Sequence, residues 1–143
     1  MSRPIRVAIN GFGRIGRAFF KLAKENSEIE IVAVNDLGSI ESMEYLLKYD
    51  TVYGVSSYTL KGVQYISEKD PAKYPWKDFN IDVVVESTGL FVSSEKAQAH
   101  VDAGAKRVVI TAPIKDDNSP TVLIGLNEEK LKTCPISSNA SCT

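Results

Sequence analysis

Apolar residues in this chain follow two rhythms. Short dense runs rich in Val and Ile, "IRVAIN" (5–10), "IEIVAVND" (29–36), "IDVVVES" (81–87) and "RVVITAP" (107–113), have the length and β-branched content of buried strands. Between them lie stretches in which apolar positions recur every three or four residues. The first predicts a helix from 13 to about 26. The second, "IESMEYLLKY" behind Ser39 as N-cap, puts Ile40, Met43, Leu46 and Leu47 on one face. The third, "SSEKAQAHVDAG" (93–104), ends on Gly104 as a C-cap. Over 51–67, Val, Tyr and Thr surround Lys61-Gly62, which predicts a small hairpin. "PAKYPWKD" is a proline-punctuated connection. A run "TVLIGL" (121–126), a short helix near "NEEKLK" and the strand-like "PISS" complete the order.

Near-continuous apolar strands separated by helices imply a parallel sheet covered on both faces. That is the α/β doubly wound plan, which binds ligands at the carboxyl ends of its strands. No internal repeat, low-complexity segment or flexible linker divides the 143 residues, so one domain is expected over 1–143.

Composition narrows the function classes. Apolar residues make up 43% and charged residues 24%, ordinary values for a globular protein. A net charge of −1 without a basic block counts against a nucleic-acid surface. No apolar run reaches the length of a membrane span, and the N-terminus has no signal-peptide layout. Cys134 and Cys142 stand eight apart, which matches neither C-x-x-C nor a zinc ligand spacing. No metal is expected, and a reducing, cytoplasmic setting follows.

The chemistry gathers first in "AINGFGRIGRAFF" (8–20), a G-x-G-x-x-G string behind a strand and ahead of a helix. Gly11 permits the tight turn, Gly13 lets backbone approach a pyrophosphate, and Gly16 lets the helix pack closely on the sheet. Asp36 closes the second strand twenty residues after Gly16. A carboxylate there accepts hydrogen bonds from both ribose hydroxyls and repels a 2′-phosphate, which favours NAD over NADP. A glycine-rich turn beside a surface aspartate is the plain alternative for the loop alone. Strand, loop, helix, strand and acid together point to dinucleotide binding.

Other polar positions carry less by themselves. Ser87, Thr88 and Gly89 end one strand where the cleft should be, and Thr111 ends the next in "TAP". Lys69 and Arg14 read as solvated charges, either of which could lie near a phosphate or the adenine. His100, mid-helix near Asp102, reads as a surface side chain rather than a base. Tyr45, Tyr49, Tyr53 and Trp76 read as packing residues, and Cys134 as structural. Cys142 lies in "SSNASCT", whose small, capping-type residues suit a strand-to-helix switch. It reads either as a nucleophile, activated by a helix N-terminus or a basic neighbour, or as a cysteine with no role.

The motifs "INGFGRIGR", "VND", "LLKYD", "VVVESTGLF", "GAKRVVITAP" and "SSNASCT" closely resemble the phosphorylating glyceraldehyde-3-phosphate dehydrogenase family, over nearly the whole chain. The resemblance implies a Rossmann-type fold and NAD as cofactor, held by Asn10, Gly11, Phe12, Gly13, Arg14, Ile15 and Gly16. It implies Asp36 on the adenosine ribose, with Lys69, Ser87, Thr88, Gly89 and Thr111 in the cofactor cleft. Cys142 stands at the nucleophile position, and Ser141 and Thr143 at substrate or phosphate contacts. In that family the thiolate attacks the aldehyde carbon of glyceraldehyde 3-phosphate, hydride passes to the nicotinamide, and inorganic phosphate cleaves the resulting thioester. The resemblance also implies a homotetramer for the complete enzyme. The family's base is a histidine of a second, catalytic domain that is absent from this sequence, so residues 1–143 by themselves are expected to be inactive. The region between "YDTVYG" and "EKDP" is also shorter than the family's usual β-excursion. Erythrose-4-phosphate dehydrogenase and a stand-alone, non-catalytic NAD-binding module are the alternatives.

Overall fold

A computed structural model describes residues 2–140. The first apolar run is β1 (Ile5–Asn10), followed by α1 (Arg14–Lys24), β2 (Ile29–Asn35) and α2 (Ile40–Lys48). A two-residue pair, β3 (Tyr49–Asp50) and β4 (Gly54–Val55), precedes β5 (Gln64–Ile66) and a 3-10 turn at Pro71–Lys73. Then come β6 (Val83–Glu86), α3 (Ser94–Asp102), β7 (Arg107–Ile110), a 3-10 turn at Glu128–Lys132 and β8 (Ile136–Ser138).

Six strands form one parallel sheet in the order β5-β2-β1-β6-β7-β8. Numbered by appearance in that sheet alone, this is 3-2-1-4-5-6, the doubly wound order that reverses between β1 and β6. Alternate residues feed opposite faces. Val7, Ile9 and Val85 pack under Phe20 of α1 and Leu47 of α2, while Ala8 and Val84 pack against Trp76 and Ile81. On that second face Ala97 of α3 lies against Val108 and Ile110. Burial on both faces is why the strands read as unbroken apolar runs. No described helix is long and apolar enough to cross a membrane.

The structure departs from the sequence reading in four places. The turn at Lys61-Gly62 forms, with Val63 N donating to Leu60 O and Gly62 at φ +80°, but no hairpin flanks it. β5 instead runs parallel to β2 at the open sheet edge, and the antiparallel pair lies earlier, at β3 and β4. "TVLIGL" gives one bridge, Thr121 to Ser138, and then turns, leaving Ile124 95% exposed. Tyr45, Tyr49 and Tyr53 are exposed, on the outer side of α2 and on the small hairpin, while Leu47 on the other side of α2 is buried. Trp76 is fully buried, as expected for packing, but His100 is fully buried too, because its helix face turns toward β6.

At the opposite edge from the strand ends, Asp82 gathers Arg3 at 2.6 Å and Lys106 at 2.7 Å and accepts from Arg6 N at 3.0 Å. These donors, Arg3 foremost, hold its carboxyl well below the usual carboxylate range, against the opposing effect of burial. A depressed native value stabilises the fold above the unfolded value of about 3.9 and is lost as pH falls below it. Melting temperature followed from pH 6 downward should therefore drop less steeply in Asp82→Asn than in the unmodified protein. Parallel acid limbs would show that this cluster contributes nothing.

Candidate functional site

Three strands that run side by side end on polar residues in register. Asn10 pairs with Asn35 across β1 and β2, and with Glu86 across β1 and β6. All three are buried, and their side chains join into a row at the carboxyl end of the sheet. Asn35 Nδ2 donates to Asn10 Oδ1 at 2.7 Å, and Asn10 Nδ2 donates to Glu86 Oε2 at 2.7 Å. The backbone of Glu68 fixes the amide of Asn35, with N donating to Oδ1 and O accepting from Nδ2. Above this row lies a cleft of about 330 Å³ at the point where the strand order reverses.

The glycine loop forms one wall. Gly11 has φ +89°, and a Cβ on it would lie 2.7 Å from Thr88 N, so glycine serves both the turn and the close approach to the neighbouring loop. Gly16 meets Gly11 O, 2.2 Å from where a Cβ would stand, which fixes how near α1 sits to β1. Gly13 lines the cleft, and a Cβ there would meet nothing within 4 Å. Gly13 is the N-cap of α1 and supplies no side-chain cap, and no acid stands in the first turn. The other two α-helices are capped by Ser39 and Ser93. The N-terminus of α1 thus presents free N–H groups and the positive end of its dipole to the cleft.

Asp36 forms the facing wall. Its Oδ2 accepts from Phe12 N at 2.7 Å and its Oδ1 from Gly38 N at 2.9 Å, so the carboxylate braces the glycine loop while each oxygen keeps a lone pair. Tyr65 pins the segment that carries Asp36 by donating to Gly38 O at 2.6 Å. Burial and the nearby Asp36 charge push its hydroxyl up to about 12, so it stays a donor. Ser87 ties the third wall to the first, its N bonding Asn10 O and its Oγ bonding Gly11 O.

Of the residues expected from sequence, Asn10, Gly11, Gly13, Asp36, Lys69, Ser87 and Thr88 line this cleft together. Phe12 and Gly16 stand behind it, the Phe12 ring buried edge-on against Phe20. Arg14 points away to Asp50 at 3.1 Å, Ile15 is half exposed, and Gly89 and Thr111 lie outside the lining. Thr111 is bonded through N and Oγ1 to Glu86 O. Ser141, Cys142 and Thr143 fall outside the described residues. Asn35, Leu37, Glu68, Tyr74, Leu90 and Phe91 also line the cleft and were not anticipated. For Asn35 the signal was present, since "VAIN", "VAVN" and "VVVE" each end an apolar run on a polar residue. Burial raises the Tyr74 hydroxyl above its ordinary value, with the Asn10 side chain opposing.

A family model described as glyceraldehyde 3-phosphate dehydrogenase, NAD binding domain, matches residues 5–94. The chain is 49% identical over 150 residues to the cytosolic glyceraldehyde-3-phosphate dehydrogenase of Trypanosoma brucei brucei, covering 97% of this chain and 45% of that protein. It is 49% identical over 152 residues to the enzyme of that name from Thermotoga maritima, covering 96% and 45%. With glyceraldehyde-3-phosphate dehydrogenase A of Escherichia coli the identity is 46% over 150 residues, covering 97% and 45%. The chain spans somewhat less than half the length of these relatives.

Proposed function

This chain belongs to the glyceraldehyde-3-phosphate dehydrogenase family, and from that membership we propose that residues 1–143 form the domain that holds NAD beside a cysteine nucleophile. NAD is the cofactor of the matched domain. The observation that carries the site reading is the uncapped N-terminus of α1, opening past Gly13 on a cleft whose far wall is Asp36. The residues fit the group: side-chain-free backbone at Gly13 borders the cleft beside free N–H donors for a pyrophosphate, and a carboxylate stands ready to accept from ribose hydroxyls. Gly11, Gly13 and the first turn of α1 would hold the phosphates, Asp36 the ribose, and Asn10, Lys69, Ser87 and Thr88 the rest of the cleft. When bound, NAD supplies a hydride acceptor.

For the whole protein the proposed reaction is the oxidation and phosphorylation of glyceraldehyde 3-phosphate to 1,3-bisphosphoglycerate in glycolysis. Cys142 is its nucleophile, with Ser141 and Thr143 at substrate or phosphate contacts; Arg14, Ile15, Gly89 and Thr111 act from behind or beside the cleft. The single histidine, His100, is sealed in the core and does not line the cleft. We place the protein in the cytoplasm, as the name of the trypanosome relative indicates for that protein, although the matched relative from Chlamydomonas reinhardtii is named chloroplastic. A homotetramer is proposed for the whole protein, supported by exposed apolar side chains at Tyr45, Tyr49, Val52, Tyr53 and Val55.

Calorimetric titration with NAD and NADP tests the cleft. NAD should bind more tightly, and equal affinities would sink the role given to Asp36. Asp36→Asn keeps an acceptor for the ribose but removes the charge facing a 2′-phosphate. It should narrow the preference by roughly tenfold or more, the scale of a charge-assisted bond replaced by a neutral one. Asp36→Ala should weaken both cofactors further, since the brace to Phe12 N goes as well.

A further inference from the structure

Glu86 is 2% exposed, and its carboxyl group receives four hydrogen bonds. Asn10 Nδ2 and His100 Nε2 approach Oε2 at 2.7 and 2.5 Å, while Thr88 N and Thr88 Oγ1 approach Oε1 at 2.9 and 2.5 Å. The proton positions follow from the far end of the chain of bonds. Trp76 Nε1 lies 3.0 Å from His100 Nδ1, and an indole N–H only donates. His100 Nδ1 is therefore the acceptor, the ring is the neutral tautomer, and its one N–H points from Nε2 at Glu86. The Asn10 amide is oriented by Asn35 and so also donates. Asn10 Nδ2, His100 Nε2 and Thr88 N can only donate here, so Glu86 accepts from three fixed donors, and the Thr88 hydroxyl completes the set.

This buried acceptor is not idle in the fold. Thr88 Oγ1, while donating to Glu86, accepts from Leu90 N at 3.0 Å, so the carboxyl group sets the turn at 87–90. On its other side it holds Asn10 at the floor of the cleft. Neither His100 nor Trp76 lines the cleft, and both are fully buried. We propose that Glu86 is a positioning residue for the dinucleotide. Its carboxyl group, completed by His100 in the tautomer that Trp76 selects, fixes Asn10 and the Thr88 turn in their binding geometry before the cofactor arrives. The inference rests on the dinucleotide reading of the cleft. Preorganisation of this kind strengthens binding by removing the cost of ordering the site.

The chain has one histidine and one tryptophan, so signals from this pair are unambiguous. In a proton–nitrogen spectrum of ¹⁵N-labelled protein, His100 should show an unprotonated Nδ1 and a protonated Nε2; the opposite tautomer overturns the assignment. Glu86→Gln turns one acceptor into a donor facing other donors. It should weaken NAD binding by roughly tenfold to a hundredfold, the range for a buried donor left unpaired. Val84→Ala, a core truncation in the same strand, is the comparison: it should lower the melting temperature and leave the Kd for NAD of the folded protein unchanged. A Glu86→Gln protein with a lowered melting temperature and unchanged Kd would show a purely structural role and overturn the proposal. If Glu86→Gln does not fold, the unmodified protein decides. Saturating NAD should shift the His100 Nε2 signal through the Glu86 link, and an unmoved signal overturns the coupling. Unmodified protein that fails to bind NAD overturns the functional reading and this inference together, whereas tight binding by both proteins overturns the inference alone.

Discussion

Gly16→Ala should lower the melting temperature by roughly 5–10 °C, while Gly13→Ala leaves it unchanged and removes most of the affinity for NAD. At position 16 the added methyl would stand 2.2 Å from the carbonyl oxygen of Gly11. That atom belongs to the backbone of a buried turn and has no rotamer to escape into, so α1 must lift from the sheet. Overpacking of this kind costs about 1–3 kcal/mol and sometimes more. For a chain of this size each kcal/mol moves the transition by roughly 3–4 °C. At position 13 the backbone has φ −73° and ψ −160°, which alanine adopts freely, and no atom lies within reach. There the methyl meets only what enters the cleft. Thermal melts paired with NAD calorimetry on both proteins give the comparison. A stable Gly16→Ala would contradict the close packing of α1 on Gly11, and a tightly binding Gly13→Ala would mean that the loop does not hold a pyrophosphate as described.

Trp76→Ala should be the more damaging change to the fold. The indole is fully buried, lies 5.2 Å from the ring of Tyr74, and packs with Ile81, Val84 and Ala105. Truncating a buried tryptophan costs about 3–5 kcal/mol, a large part of the 5–15 kcal/mol that holds a typical domain together. His100 would also lose the donor that selects its tautomer. Trp76→Phe keeps most of the ring volume and loses that donor, so it should fall between the two. Urea unfolding followed by circular dichroism measures the series. Equal midpoints for the unmodified, Phe and Ala proteins would contradict the burial on which the argument rests.

The parts of the fold that could be read from sequence are those fixed by local rules. Apolar runs of strand length gave the six-stranded parallel sheet almost entirely, because both of its faces are buried and the pattern has no gaps. Gly11 and Gly16 were legible because their roles are steric. What escaped depended on register between distant segments. His100 looked like a surface residue because its helix neighbours are polar. It is buried because β6 ends opposite it on an acid, and nothing within α3 announces Glu86. The spacing of Ala97 and His100, one turn apart on the buried face, was the available clue. The Lys61-Gly62 turn was correctly placed, but its flanks were paired with each other when the exposed edge of β2 was the open partner. Arg14 and Ile15 follow the motif in sequence yet point outward, since only backbone groups of the loop face the cleft.

The position of β1 at the centre of the sheet has a consequence for the order of synthesis. β1 is made before both of its partners, β2 on one side and β6 on the other. Asn10 pairs with Glu86, which follows 76 residues later. At roughly 5–20 residues per second on the ribosome, that partner is missing for about 4–15 s after β1 is complete. During this interval an apolar strand with an unpaired edge is exposed to other chains as well as its own. The nascent chain is therefore most vulnerable to misassociation before Val83–Glu86 emerges, and a chaperone would engage it in that window.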